Sequence, residues 1–104
     1  MMEIIYTVCS SYEEAKMIGK KMVQDKMCAC VNIIPEMESI YFWDGKIVED
    51  KEVILLIKTQ QGYFDTISQK IKELHSYEVP CIFSLHAQHV TNDYLTWMNN
   101  YIEL

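Results

Sequence analysis

Four cysteines and three histidines are the side chains of this 104-residue chain best suited to hold an ion or attack a substrate. Cys28 and Cys30 stand two residues apart in Cys28-Ala29-Cys30-Val31-Asn32-Ile33-Ile34-Pro35, and on a strand that spacing sends both thiols to one side. Soft thiolates select copper(I) or zinc, so the pair could supply half a site. Small apolar side chains filling a strand–helix contact give the same pattern, and Ala29 and Val31 favour that packing role. No Cys-x-x-Cys pair is present, which excludes zinc-finger spacing. His75 precedes Ser76-Tyr77-Glu78-Val79-Pro80 at a predicted helix end, where an imidazole caps free carbonyls and meets the helix dipole. His86 and His89 are three apart and would face opposite sides of a strand, a surface or interface placement. Lys58 closes an apolar run, either to meet an anionic ligand or to reach solvent. Tyr41, Trp43, Tyr77, Tyr94 and Trp97 give a high aromatic density that packing accounts for better than a stacking cleft. No Gly-x-Ser-x-Gly elbow or glycine-rich phosphate loop accompanies them, so the chain does not read as an enzyme.

Charge and size narrow the classes further. Fifteen acidic residues against nine basic ones give a formal charge of −6, and every basic residue is lysine. That field repels nucleic acid, and without arginine there is no bidentate fork for phosphate or carboxylate. The longest apolar run, Val53 to Ile57, falls far short of the ~20 residues of a membrane span. Met1-Met2-Glu3-Ile4-Ile5-Tyr6 lacks a basic region ahead of its apolar residues and reads as a strand rather than an export signal, which points to the cytoplasm. The four cysteines, each inside a predicted strand, are expected as free buried thiols. Residues 1–104 are expected to form one domain around one core.

The elements that position these residues follow from periodicity. Glu3 to Cys9 is a first strand, and Ser11-Tyr12-Glu13-Glu14 is a capping box for a helix carrying Ala15, Ile18, Met22 and Val23 inward. Cys28 to Ile34 is apolar enough to be a strand covered on both faces. Pro35 interrupts it, Met37 and Glu38 bend it, and Ser39 to Trp43 resumes it. Asp44-Gly45 supplies a tight turn, and Lys46 to Lys58 returns as a long partner whose second half lies in the sheet centre. Gly62 opens a helix bearing Phe64, Ile67, Ile71 and Leu74; Cys81 to Ala87 is a fourth strand; Thr91-Asn92-Asp93 caps a last helix with Tyr94, Leu95, Trp97 and Met98. The order is α+β, ferredoxin-like β-α-β-β-α-β with a long central hairpin and an extra C-terminal helix.

Cys28 to Pro35, Ser39 to Gly45, Glu52 to Thr59, His75 to Pro80 and Tyr94 to Trp97 together resemble the CutA family of divalent-cation tolerance proteins, in order and spacing over nearly the whole chain. The resemblance implies a ferredoxin-like fold, a homotrimer, and a non-enzymatic role in the response to metal ions. Copper or another divalent ion is the cofactor it suggests. It places copper ligands at Cys30 and His75. This chain departs from the family run at Ser76, where proline is usual, and at Cys81, where glutamate is usual. A thiol at Cys81 would make a set of Cys30, His75 and Cys81 softer and more selective for copper(I). A trimer also implies that Tyr41, Trp43, Lys58, Tyr77 and Trp97 line a subunit interface or cleft. The alternative is a trimer similar to PII-like signalling proteins, binding a small ligand between subunits. Assembly itself as the function is a third reading.

Overall fold

The computed structural model describes residues 1–103. Its elements are β1 (Met2–Cys9), α1 (Tyr12–Gln24), β2 (Cys30–Trp43), β3 (Lys46–Gln60), α2 (Phe64–Leu74), β4 (Ile82–His86) and α3 (Asn92–Tyr101). The four strands form one antiparallel sheet in the order β2-β3-β1-β4, the ferredoxin-like arrangement expected from the pattern. β3 lies inside the sheet, as its apolar second half requires.

Alternation sorts the sheet into two faces. Ile5 and Cys9 of β1 and Val53, Leu55 and Ile57 of β3 point toward α1 and α2, which bury Ala15, Ile18, Met22, Ile67 and Ile71 against them. The opposite face carries Ile4, Tyr6 and Val8 beside Lys58, Leu56 and Ile54 in register. Its Met2–Ile4 end is covered within the chain by Met98 and Ile102 at α3. Ile34, Phe83 and Leu85 remain exposed. Among the described residues no helix is long and apolar enough to cross a membrane.

Three local expectations need correction. Cys28 lies before β2, buried in the core beneath α1 and α2, so it does not share a strand face with Cys30. β2 is an edge strand and is not covered on both sides; its apolar composition serves one packed face and one exposed edge. The irregularity falls between Ile34 and Met37, where Pro35 was expected to interrupt the ladder but two residues before the expected bend at Met37 and Glu38, with Glu36 at a φ of 61°. Proline removes the ladder donor there, and the chain answers with an inserted residue that leaves the strand continuous.

The helix start is a modified capping box. The Ser11 hydroxyl accepts from the Glu14 N–H at 3.1 Å, as the pattern predicts. The Glu14 carboxylate reaches the Ser10 N–H instead of that of Ser11, at 2.9 Å, and its second oxygen accepts from the Ser76 N–H at 2.9 Å. The side chain that caps α1 therefore also anchors the loop after α2.

Candidate functional site

The bulge at Pro35–Glu36 decides which hairpin residues meet the body of the protein. Before it, Cys30, Asn32 and Ile34 share the face opposite α1 and α2; after it, Met37, Ser39, Tyr41 and Trp43 do. The Tyr6 hydroxyl approaches Met37 Sδ at 3.9 Å on that face. A cleft of about 700 Å³ opens where these residues face the loop after α2, lined among others by Tyr41, Trp43, Glu52, Tyr77, Glu78 and Cys81. Glu52 is only 7% exposed and accepts from the Tyr77 hydroxyl at 2.5 Å. Burial, and then the Glu52 carboxylate, hold the Tyr77 phenol above its ordinary range. The Tyr41 hydroxyl donates to Asp50, which holds that phenol up at about 12.

Behind the cleft, Cys9, Glu14 and His75 bring a sulfur, a carboxylate oxygen and a ring nitrogen within 4.8 Å of one another. Their donor capacity is already spent. His75 Nε2 meets the Val8 carbonyl at 2.7 Å, which requires a proton on that nitrogen, and Nδ1 accepts from the Tyr77 N–H at 3.0 Å. Both oxygens of Glu14 accept backbone N–H groups. Burial pushes the Cys9 thiol up to about 12, with Glu14 and Glu52 adding to it. The cluster is a structural knot that fixes the Tyr77 loop, and it does not fit a metal ion.

The sequence-derived metal set is dispersed within one chain. Cys81 is exposed in the cleft, and its carbonyl accepts from Thr7 Oγ1 at 2.8 Å. His75 lies just behind it. Cys30 pairs with Lys58 opposite Ile4, four residues along from Val8, so it stands about 13 Å along the sheet and a further ~14 Å across it. The expectation of four buried thiols holds for Cys9 and Cys28 alone; Cys30 is half-buried and Cys81 exposed, because neither belongs to the core beneath α1 and α2.

The aromatic and lysine residues also divide between two ends. Tyr41, Trp43 and Tyr77 line the cleft, whereas the Lys58 ammonium lies 5.3 Å from the Tyr94 ring beside Cys30. Trp97 stacks obliquely on Tyr94 at 5.6 Å and is 53% exposed. His86 and His89 are on the surface, as expected.

Residues 3–101 match the family model described as CutA1 divalent ion tolerance protein. The chain belongs to the CutA family. It is 40% identical to the divalent-cation tolerance protein CutA of Thermus thermophilus, over 94% of this chain and 95% of that one. The corresponding Thermus thermophilus structure superposes with a TM-score of 0.93 over 99% of this chain and all of its own. A structure from Archaeoglobus fulgidus, described as a periplasmic divalent cation tolerance protein CutA, gives a TM-score of 0.95 at 34% identity, covering 99% of this chain and 100% of that one.

Against that CutA frame, sequence reading missed Glu52 and Glu14 as site residues. Glu52 carried a signal: a carboxylate at the start of an apolar strand-centre run is placed for burial. Glu14 was absorbed by its capping motif, and nothing local shows that Ser76 lies against it.

Proposed function

We propose that the protein works as a homotrimer in the response to divalent metal ions, without catalysis, and that the cleft at the root of its hairpin is the working site. The observation that carries the assembly is the uncovered apolar face of the sheet. Ile34, Phe83 and Leu85 are 46%, 41% and 52% exposed there, and the projecting hairpin adds Trp43 at 58%. Large apolar side chains grouped in this way mark a contact surface, and the free edge of β2 invites strand pairing. Family membership supports the metal-related role. Sedimentation at micromolar concentration should give three subunits; a monomer would overturn the assembly and any cleft between subunits.

A metal ion enters this reading through Cys81, the exposed cleft thiol. His75 joins it only if the Tyr77 N–H releases Nδ1, and Cys30 only from a neighbouring chain. Copper(I) competition titration of the parent against a Cys30→Ser, His75→Ala double variant tests the full set. Equal affinities would remove both residues. The compartment we assign is the cytoplasm, and cell fractionation checks it.

The second reading is a PII-like trimer with a small ligand between subunits. The cleft favours it: about 700 Å³ falls within the span of small-molecule sites, roughly 300–1,000 Å³. Lys58 and Trp97 would then belong to a different contact from Tyr41, Trp43 and Tyr77. A small-molecule screen followed by mapping on the trimer separates the two.

A further inference from the structure

The lining of the cleft selects a ligand charge. Tyr41, Trp43 and Tyr77 supply aromatic surface, Glu52 and Glu78 supply carboxylates, and no lysine or histidine is among the lining residues. Glu52 is 7% exposed, yet among the described residues its one side-chain hydrogen bond comes from the neutral Tyr77 hydroxyl, and no ammonium pairs with it. A carboxylate held out of water without a counter-charge is costly, and a bound cation offsets that cost. The hairpin reinforces the field, with Glu36, Glu38, Asp44, Glu49, Asp50 and Glu52 against Lys46 and Lys51. Aromatic faces beside a carboxylate attract ammonium groups that carry an apolar body. A bare hard ion asks instead for several converging oxygens, and here one Glu52 oxygen is already engaged by Tyr77.

We infer that this cleft binds a small organic cation, an amine or quaternary ammonium, with its charge at Glu52 and its carbon body between Tyr77 and Tyr41. This deepens the ligand-cleft reading and rests on it for the neighbouring chain that closes the open side; Glu52 and Tyr77 belong to one chain.

The test is calorimetric titration of the full-length protein with choline, benzylamine and putrescine, beside the uncharged choline isostere 3,3-dimethylbutan-1-ol and acetate as an anion. At least one amine should bind saturably, while the isostere and acetate should not. Glu52→Gln, which keeps an acceptor for Tyr77, should weaken that amine at least tenfold, and Tyr41→Leu should weaken it independently. Saturation by none of the amines, or equal binding of choline and its isostere, overturns the inference without needing any variant. Sedimentation of the same samples separates the two readings. A trimer that binds no amine removes the cation site and leaves the assembly, whereas an amine-binding monomer supports the site and removes the assembly.

Discussion

The Tyr77 phenol donates to Glu52 at 2.5 Å and so joins the loop after α2 to the root of the hairpin. The same residue's N–H donates to His75, which is tied in turn to the Val8 carbonyl. One loop residue thus couples the helix layer to the far face of the sheet. Tyr77→Phe deletes only the phenolic bond, and a hydrogen bond to a charged group contributes about 1.5 kcal/mol or more. Urea unfolding at fixed protein concentration should show a loss of that size. An unchanged midpoint would mean that solvent satisfies Glu52 equally well.

Glu14 gives the fold a signature in acid. Burial works upward on its carboxyl, but hydrogen bonds from Ser76 and Ser10 outweigh it, and the group sits below the ordinary glutamate range. In the window between the lowered native value and the ordinary one near ~4.3, the unfolded chain binds more protons, so stability rises with pH. This contribution is complete above the ordinary value and is lost as pH falls through the native one. Glu14→Gln should flatten the acid limb of a stability–pH curve. Parallel curves for parent and variant would assign that limb to other carboxylates.

Gly19 tests how tightly α1 sits on the sheet. Alanine there gains helix propensity, about 1 kcal/mol over glycine. Its Cβ would stand 2.9 Å from Val31 Cγ2 and 3.4 Å from Leu55 Cδ1. Val31 is β-branched and stiff at χ1, so the strand must give way, and overpacking costs about 1–3 kcal/mol. Gly19→Ala should lower the thermal midpoint. A higher midpoint would show that the edge strand yields freely.

Trp43 reports on assembly. It stands beside the Asp44-Gly45 turn, 58% exposed within one chain. If a neighbouring subunit covers it, Trp43→Ala should weaken the trimer by at least ~2 kcal/mol, the scale of an interface hot spot. Dilution series in the ultracentrifuge measure this directly. Parent-like dissociation would confine the tryptophan to its own hairpin.

Much of this arrangement was readable without coordinates. Strand and helix order, the sheet-facing set Ala15, Ile18, Met22, Ile67 and Ile71, the Ser11 cap and the hairpin turn follow from local periodicity and backbone chemistry, which neighbouring residues settle among themselves. The CutA resemblance was carried by short runs of residues, again local. The site was not local. Pro35 announced a fault in β2, but only strand pairing fixed its position between Ile34 and Met37, and that one-residue insertion puts Tyr41 and Trp43, rather than Phe42, on the sheet face that carries the cleft. The separation of Cys30 from His75 depends on register across three strands, and the spending of both His75 nitrogens depends on Val8 and Tyr77 arriving from two directions. Sequence determines which groups a chain owns and how each segment prefers to fold; pairing register and loop closure decide which of those groups meet, because both are set by burial of the whole sheet.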